Sequence, residues 1–173
     1  MRIAISGLSG CGNTTVSGLV AGKLGFEVIN YTFRNMAEER GISFSEMCAL
    51  ARGDDGYDLE LDAKQVSLAM ARDNCVLASR LAIWMLKEAD FKFYINVSAQ
   101  ERSRRIHKRE GGSLEDRIAE TKARDSSDTE RYKRIYGIDN TKPEEVADYV
   151  ISDDGMSAEQ IADFIVSHVR TGR

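Results

Sequence analysis

The sequence predicts a three-layer α/β fold, a parallel sheet of five strands with helices on both faces, and three observations predict it. Short, almost continuously apolar runs alternate with longer segments whose apolar residues recur at helical spacing. A glycine-rich turn, Gly7 to Gly12, joins the first apolar run to the first helical segment. The length of 173 residues, 42% hydrophobic and 30% charged, suits one core better than two, so a single domain over residues 1–173 with mobile flaps is expected.

Arg2 to Ser6 is apolar enough for a buried strand, and the first helix runs from about Asn13 to Leu24, with Val16, Leu19, Val20 and Leu24 at helical spacing and Gly25 to end it. Glu27 to Asn30 is a second strand. Helices follow over Tyr31 to Arg40 and Ser43 to Arg52, the latter opened by Ser43 and Glu46, whose side chains satisfy free N–H groups of the first turn. After a turn-rich break at Gly53 to Tyr57, Leu59, Ala63, Val66 and Met70 predict the buried stripe of a helix ending near Arg72. Asn74 to Ala78 and Phe93 to Val97 predict two further strands, separated by a helical piece at Leu81 to Leu86 that carries Trp84 and Met85 into the core. Ser98 and Glu101 open a charged helical stretch that reaches about Tyr136 and breaks into two arms at Glu110 to Ser113. Asp148 to Ile151 supplies the last strand, and Ser157 with Gln160 opens a final amphipathic helix bearing Ile161, Ile165 and Val169.

Charge and cysteine usage exclude several classes. A net charge of −4 and a pI near 5.3 argue against a binder of nucleic-acid polymers or membrane surfaces. Between Arg102 and Arg134, however, basic residues outnumber acidic ones, which suits a small, multiply charged anion and equally describes a solvated helix face. Cys11, Cys48 and Cys75 are widely spaced without metal-ligand partners, and no stretch has the length of a membrane span or the pattern of a signal peptide. Reduced thiols and a cytoplasmic location are expected. His107 and His168 lack a nucleophile or metal partner nearby in sequence, and surface roles suit them.

The segment Gly7-Leu8-Ser9-Gly10-Cys11-Gly12-Asn13-Thr14 lies where a G-x-x-x-x-G-K-[ST] loop wraps phosphates with backbone N–H groups, and the positive end of a helix dipole adds to the attraction. Thr14 stands where the motif's hydroxyl reaches Mg²⁺, and Thr15 is placed for a second phosphate oxygen. Asn13 departs from the pattern, because an amide in the lysine position cannot neutralise charge on the β- and γ-phosphates. Cys11 is a small filler in the loop, or a thiol made reactive by the helix N-terminus.

In Arg124-Asp125-Ser126-Ser127-Asp128-Thr129-Glu130-Arg131, a repeat of about 3.6 residues per turn puts Arg124, Asp128 and Arg131 on one helix face. Two guanidiniums beside a carboxylate can fork a phosphate while the carboxylate accepts from ribose hydroxyls, although the same spacing also makes an ordinary salt-bridge ladder. Arg34, after the second strand, and Arg80, after the third, stand where a parallel sheet binds its ligands.

Gly7 to Thr15, Tyr31 to Arg34, Ser79-Arg80, Glu101 to Arg105 and Arg124 to Arg131 occur in the order that a glycine loop, an arginine, a G-R step, an E-R-x-x-R-R run and R-D-x-x-D-x-x-R take in cytidylate kinases. The chain resembles that family over nearly its whole length, and Asp62 to Gln65, Arg80 to Leu86 and Arg131 to Asp139 look most like its archaeal branch. The resemblance implies a P-loop kinase fold and transfer of the γ-phosphoryl of ATP, with Mg²⁺, to CMP and also dCMP, by a monomer. It implies that Gly7 to Thr15 bind ATP, that Arg34, Arg80, Arg124 and Arg131 hold the acceptor's phosphate, and that Asp128 holds its ribose. In a lid at about 101–124, Arg102 and Arg105, with Arg109, would close over the ATP phosphates. In a monophosphate-binding segment at about 31–72, Asp62 and Gln65 are candidates for reading the pyrimidine, since an amide offers donor and acceptor together; an exposed helix face is the other reading. The chain departs from many relatives at Asn13 and at Ala78, where they place an acid. Two other functions stay open, a P-loop kinase for another nucleotide or small metabolite, and a catalytically weak nucleotide-binding regulator.

Overall fold

The computed structural model describes residues 1–153 and 155–172. Strands β1 (Arg2–Gly7), β2 (Glu27–Ile29), β3 (Cys75–Ala78), β4 (Phe91–Asn96) and β5 (Tyr149–Ser152) form one sheet in the order β2-β3-β1-β4-β5, and every neighbouring pair is parallel. Because strand side chains alternate, Ile3 and Ile5 of β1 and Phe91, Phe93 and Ile95 of β4 face one side, under α1 (Asn13–Leu24) and α8 (Ala158–Thr171). Ala4, Leu77 and Tyr94 face the other, under α4 (Gly56–Met70) and α5 (Ala82–Met85). Trp84 and Met85 are half-buried at that core's margin, where Trp84 meets the Tyr94 ring edge-on at 6.1 Å between centroids. A third apolar cluster, Tyr31, Met36, Ala37 and Met47, joins α2 (Phe33–Arg40) to α3 (Phe44–Gly53). The charged stretch forms α6 (Ala99–Glu110) and α7 (Leu114–Tyr136), which pack on each other.

Caps explain the helix starts. The hydroxyls of Ser43, Ser98 and Ser157 accept from the N–H groups of Glu46, Glu101 and Gln160, as the spacing predicts, and Ser113 does the same for Asp116. Thr32, extended at the N-cap, forms with Asn35 the box that starts α2 at Phe33, later than the pattern predicts, so Tyr31 stays outside the helix and buried. β4 starts at Phe91, two residues ahead of the expected strand.

The largest departure is on α4. Leu59 and Met70, expected inside, are 49% and 40% exposed, whereas Asp58, Asp62, Gln65 and Ala69 are buried. The helix is where the period places it but rotated, because its polar stripe lines a cleft at the carboxyl end of the sheet. Among the described residues no helix is long and apolar enough to cross a membrane.

Candidate active site

β1 ends at Gly7 in the centre of the sheet, and the chain turns through Leu8 to Gly12 into α1. The turn is closed by Cys11 N–H donating to Leu8 O at 3.0 Å. Gly10 and Gly12 hold φ of 85° and 91°, a left-handed region open to glycine, and a Cβ on Gly7 would lie 2.5 Å from Cys11 Sγ and 2.8 Å from Ile95 O. No side chain caps α1, so its first N–H groups are available to an anion. Thr14 and Thr15 are exposed at that end. Cys11 is buried beneath the loop, and burial pushes its thiol up, opposite to the direction a reactive thiol needs; it is packing.

Asn13 lines the cleft but is engaged elsewhere. Its Nδ2 donates to Ile5 O at 3.1 Å and Ser79 O at 3.4 Å, and its Oδ1 accepts from Ser17 Oγ at 2.9 Å. The amide therefore clips the end of β1 to the turn after β3, and its donors are directed at the protein. The position of the motif's lysine is structural in this chain.

The lid arginines separate into different tasks. Arg102, 2% exposed, donates Nε to Val97 O at 3.0 Å and Nη1 to Ser9 O at 2.9 Å, and pairs with Asp125 at 2.6 Å. Its position corrects the expectation that it closes over nucleotide phosphates: the guanidinium lies inside the fold and buttresses the glycine loop from behind. Arg105 reaches the mouth of the loop, donating Nη1 to Cys11 O at 3.2 Å, and with Arg109 lines the cleft.

The cleft has a volume of about 600 Å³ and runs from the glycine loop to the polar face of α4. Arg80 and Arg131 line it; Arg80 Nη1 pairs with Asp128 at 2.5 Å, and Arg131 pairs with Asp58. Arg124 and Arg34 do not line it. Arg124 donates to Ser9 Oγ at 3.1 Å from the outer side of the loop, and Arg34 is exposed with its guanidinium 4.5 Å from the centre of the Phe44 ring. The expected face of Arg124, Asp128 and Arg131 is thus shared between the loop, Arg80 and Asp58.

At the far end, Gln65 donates Nε2 to Tyr31 O at 2.7 Å, and Asp62 Oδ2 accepts from Tyr136 Oη at 2.6 Å. Burial pushes the Asp62 carboxyl up to about 6, with the neighbouring Asp58 charge adding to the rise. Burial also raises Asp58 despite Arg131, and Asp58 Oδ2 has no hydrogen-bond partner among the described residues. Sequence reasoning missed Asp58, Asp125 and Tyr136. The signal for Asp58 was present, since Asp58, Asp62 and Gln65 recur at the spacing of one helix face.

A family model described as "Cytidylate kinase-like family" matches residues 2–154. The protein named "Cytidylate kinase 2" of Borrelia garinii subsp. bavariensis is 44% identical over 168 residues, covering 95% of this chain and 94% of that one. The "Cytidylate kinase" of Methanococcoides burtonii is 40% identical over 141 residues, 80% of each chain. Among solved structures, a shikimate kinase from Acinetobacter baumannii in complex with shikimate superposes with a TM-score of 0.64 at 17% identity, covering 98% of this chain and 93% of that one, a likeness of fold.

Proposed function

The chain belongs to the cytidylate kinase-like family, and from that premise we propose how its cleft transfers the γ-phosphoryl group of ATP to CMP, giving CDP and ADP. The observation that carries the reading is one continuous cleft with a phosphate loop at one end and a buried acceptor-rich face at the other, with Arg80, Arg105, Arg109 and Arg131 along it. Phosphoryl transfer asks chiefly for in-line positioning and for positive charge where negative charge builds up. The free N–H groups of the loop and of α1 hold the ATP phosphates, and Arg105 and Arg109 add charge from α6. Arg80 and Arg131, each braced by a carboxylate, fork the acceptor's phosphate, and Asp128 is the candidate for its ribose.

The α4 face explains selection of the base. Gln65 directs one of its two N–H groups to Tyr31 O and keeps the other beside its carbonyl oxygen; Asp58 Oδ2 is unpartnered among the described residues, and Asp62 keeps a second oxygen beyond the one that meets Tyr136, so carboxylate acceptors dominate this face. Acceptors facing a base favour the 4-amino group of cytosine over the 4-oxo group of uracil. With its carboxyl near 6, Asp62 also holds a proton for the ring nitrogen in part of the population at neutral pH. The 3′-hydroxyl that both sugars carry is enough for Asp128 to accept from, so dCMP is expected as a second acceptor.

Mg²⁺ usually keeps several waters and takes substrate phosphates with one or two protein groups. The exposed Thr14 hydroxyl at the loop fits that need, while Ala78 brings no carboxylate to the cleft lining. When bound, the ion would supply charge neutralisation between the β- and γ-phosphates. A coupled assay of ATP with CMP, dCMP, UMP and AMP tests the reading: CMP and dCMP should exceed UMP and AMP in kcat/KM by about 100-fold. Faster transfer to UMP or AMP would refute the base assignment, and ATP binding by calorimetry without transfer to any acceptor would refute the kinase.

A further inference from the structure

Asp153 is not among the residues that line the cleft, and its side chain is 0% exposed. Its backbone is fixed, because its N–H donates to Asn96 O at 3.1 Å, extending the pairing of β4 with β5, and its carbonyl accepts from Gly155 N–H at 2.8 Å. Arg105 Nη2 lies 2.5 Å from Asp153 Oδ2 as an ion pair, and neither carboxylate oxygen has an aligned hydrogen-bond donor among the described residues. A carboxylate buried this way is tolerated only when a cation faces it.

Arg105 is held from three sides. Nη2 meets Asp153, Nε donates to Glu101 Oε1 at 3.3 Å and Nη1 donates to Cys11 O at 3.2 Å. A guanidinium carries five N–H groups in a rigid plane, so these contacts leave one on each Nη, on a side chain that lines the cleft beside the glycine loop. The group is at the phosphate end, where a loop lysine would act, and Asn13 is turned into the sheet.

We propose that Asp153 is a positioning residue, anchored in the sheet, that holds Arg105 across the mouth of the phosphate loop so that its two remaining N–H groups replace the charge that Asn13 cannot supply. The inference rests on the kinase reading and on Arg105 touching the ATP phosphates. Contact with the sheet, rather than with another lid residue, fixes the guanidinium before nucleotide arrives, which is what transition-state stabilisation by a preset charge requires.

The test is a mutant cycle with kcat, KM for ATP and CMP, and thermal melts. Arg105→Ala should lower kcat about 100- to 1000-fold. Asp153→Ala should lower it about 10- to 100-fold with the KM for CMP within about twofold, and Asp153→Asn, which retains one acceptor oxygen, about 3- to 10-fold. In the Arg105→Ala background, Asp153→Asn should restore melting temperature, because the unpaired buried charge is gone, yet leave kcat where Arg105→Ala put it. Asp153→Asn and Asp153→Ala enzymes both within twofold of wild type beside an impaired Arg105→Ala would overturn the inference alone. Additive losses in the double variant would overturn it too. A fully active Arg105→Ala enzyme would refute the role of Arg105 itself. If Asp153→Ala does not fold, Asp153→Asn carries the same comparison.

Discussion

Asp62→Asn should stabilise the protein at neutral pH while weakening it as an enzyme. Asp62 is 7% exposed, and burial is the largest cause that raises its carboxyl from 3.8 to about 6; the Tyr136 hydroxyl at 2.6 Å opposes the rise without cancelling it. Well below 3.8, at about pH 3, the group is neutral in the folded and unfolded chain alike. Between about pH 4 and 6 the folded chain keeps a proton that the unfolded chain releases, so stability falls as pH rises. Above about 6 the loss is complete and amounts, at about 1.4 kcal/mol per pH unit, to about 3 kcal/mol.

The amide that Asp62→Asn introduces is neutral throughout and still offers an oxygen to Tyr136. The variant's advantage should therefore be only about 0.5 kcal/mol at pH 4 and grow to about 3 kcal/mol at pH 7.5, or about 6–12 °C in Tm for a chain of this size. Circular-dichroism melts of both proteins at pH 4, 5, 6 and 7.5 measure it. The assay's second arm is the KM for CMP, which should rise about 10- to 100-fold at pH 7.5 if the carboxylate meets the cytosine amino group. A Tm difference of the same size at every pH, or a variant less stable than wild type at pH 7.5, would refute the burial argument.

Asn13→Lys should lower stability by about 1–2 kcal/mol, because Ser17 Oγ loses its acceptor and Ile5 O and Ser79 O each lose one of two donors, and should raise turnover by less than about threefold; melts and the coupled assay check both. A large gain in turnover would show that Arg105 leaves the lysine's charge unreplaced. Arg102→Ala should cost about 3–5 kcal/mol by leaving Asp125 unpaired against the fold, and should weaken ATP binding in calorimetry because Ser9 O loses its anchor, with the KM for CMP little changed. Gly7→Ala should reduce ATP affinity more than about tenfold, since the new Cβ meets Ile95 O at 2.8 Å and the backbone of the loop has to move.

The strands and most helix starts were legible because their causes are local. A strand buried on both faces is an apolar run, and a serine three residues before Glu or Gln is a cap wherever the helix later packs. The rotation of α4 was not legible from apolar residues, since Leu59, Ala63, Val66 and Met70 form as good a stripe as the one that is buried. What decides between the faces is the cleft opposite. Asp58, Asp62 and Gln65 go inside because Arg131, Tyr136 and the Tyr31 carbonyl meet them there, and those partners lie on elements distant in the chain.

The lid shows the same limit in its sharpest form. Arg102, Arg105 and Arg109 fall near one face of α6, and spacing alone gives them one role. Their side chains are 3%, 33% and 66% exposed in that order, so the stripe runs from the interior to solvent. A guanidinium at the deep end has its donors taken by Val97 O, Ser9 O and Asp125 and can only support the loop. One at the middle depth is braced on part of its rim by Asp153, Glu101 and Cys11 O and keeps donors for a ligand. One at the shallow end pairs with the adjacent Glu110 and contributes charge without fixed geometry. Helical periodicity fixes direction around an axis but carries no information on distance from the loop, and distance is what sorts three equivalent arginines into a buttress, a preset cation and a peripheral one.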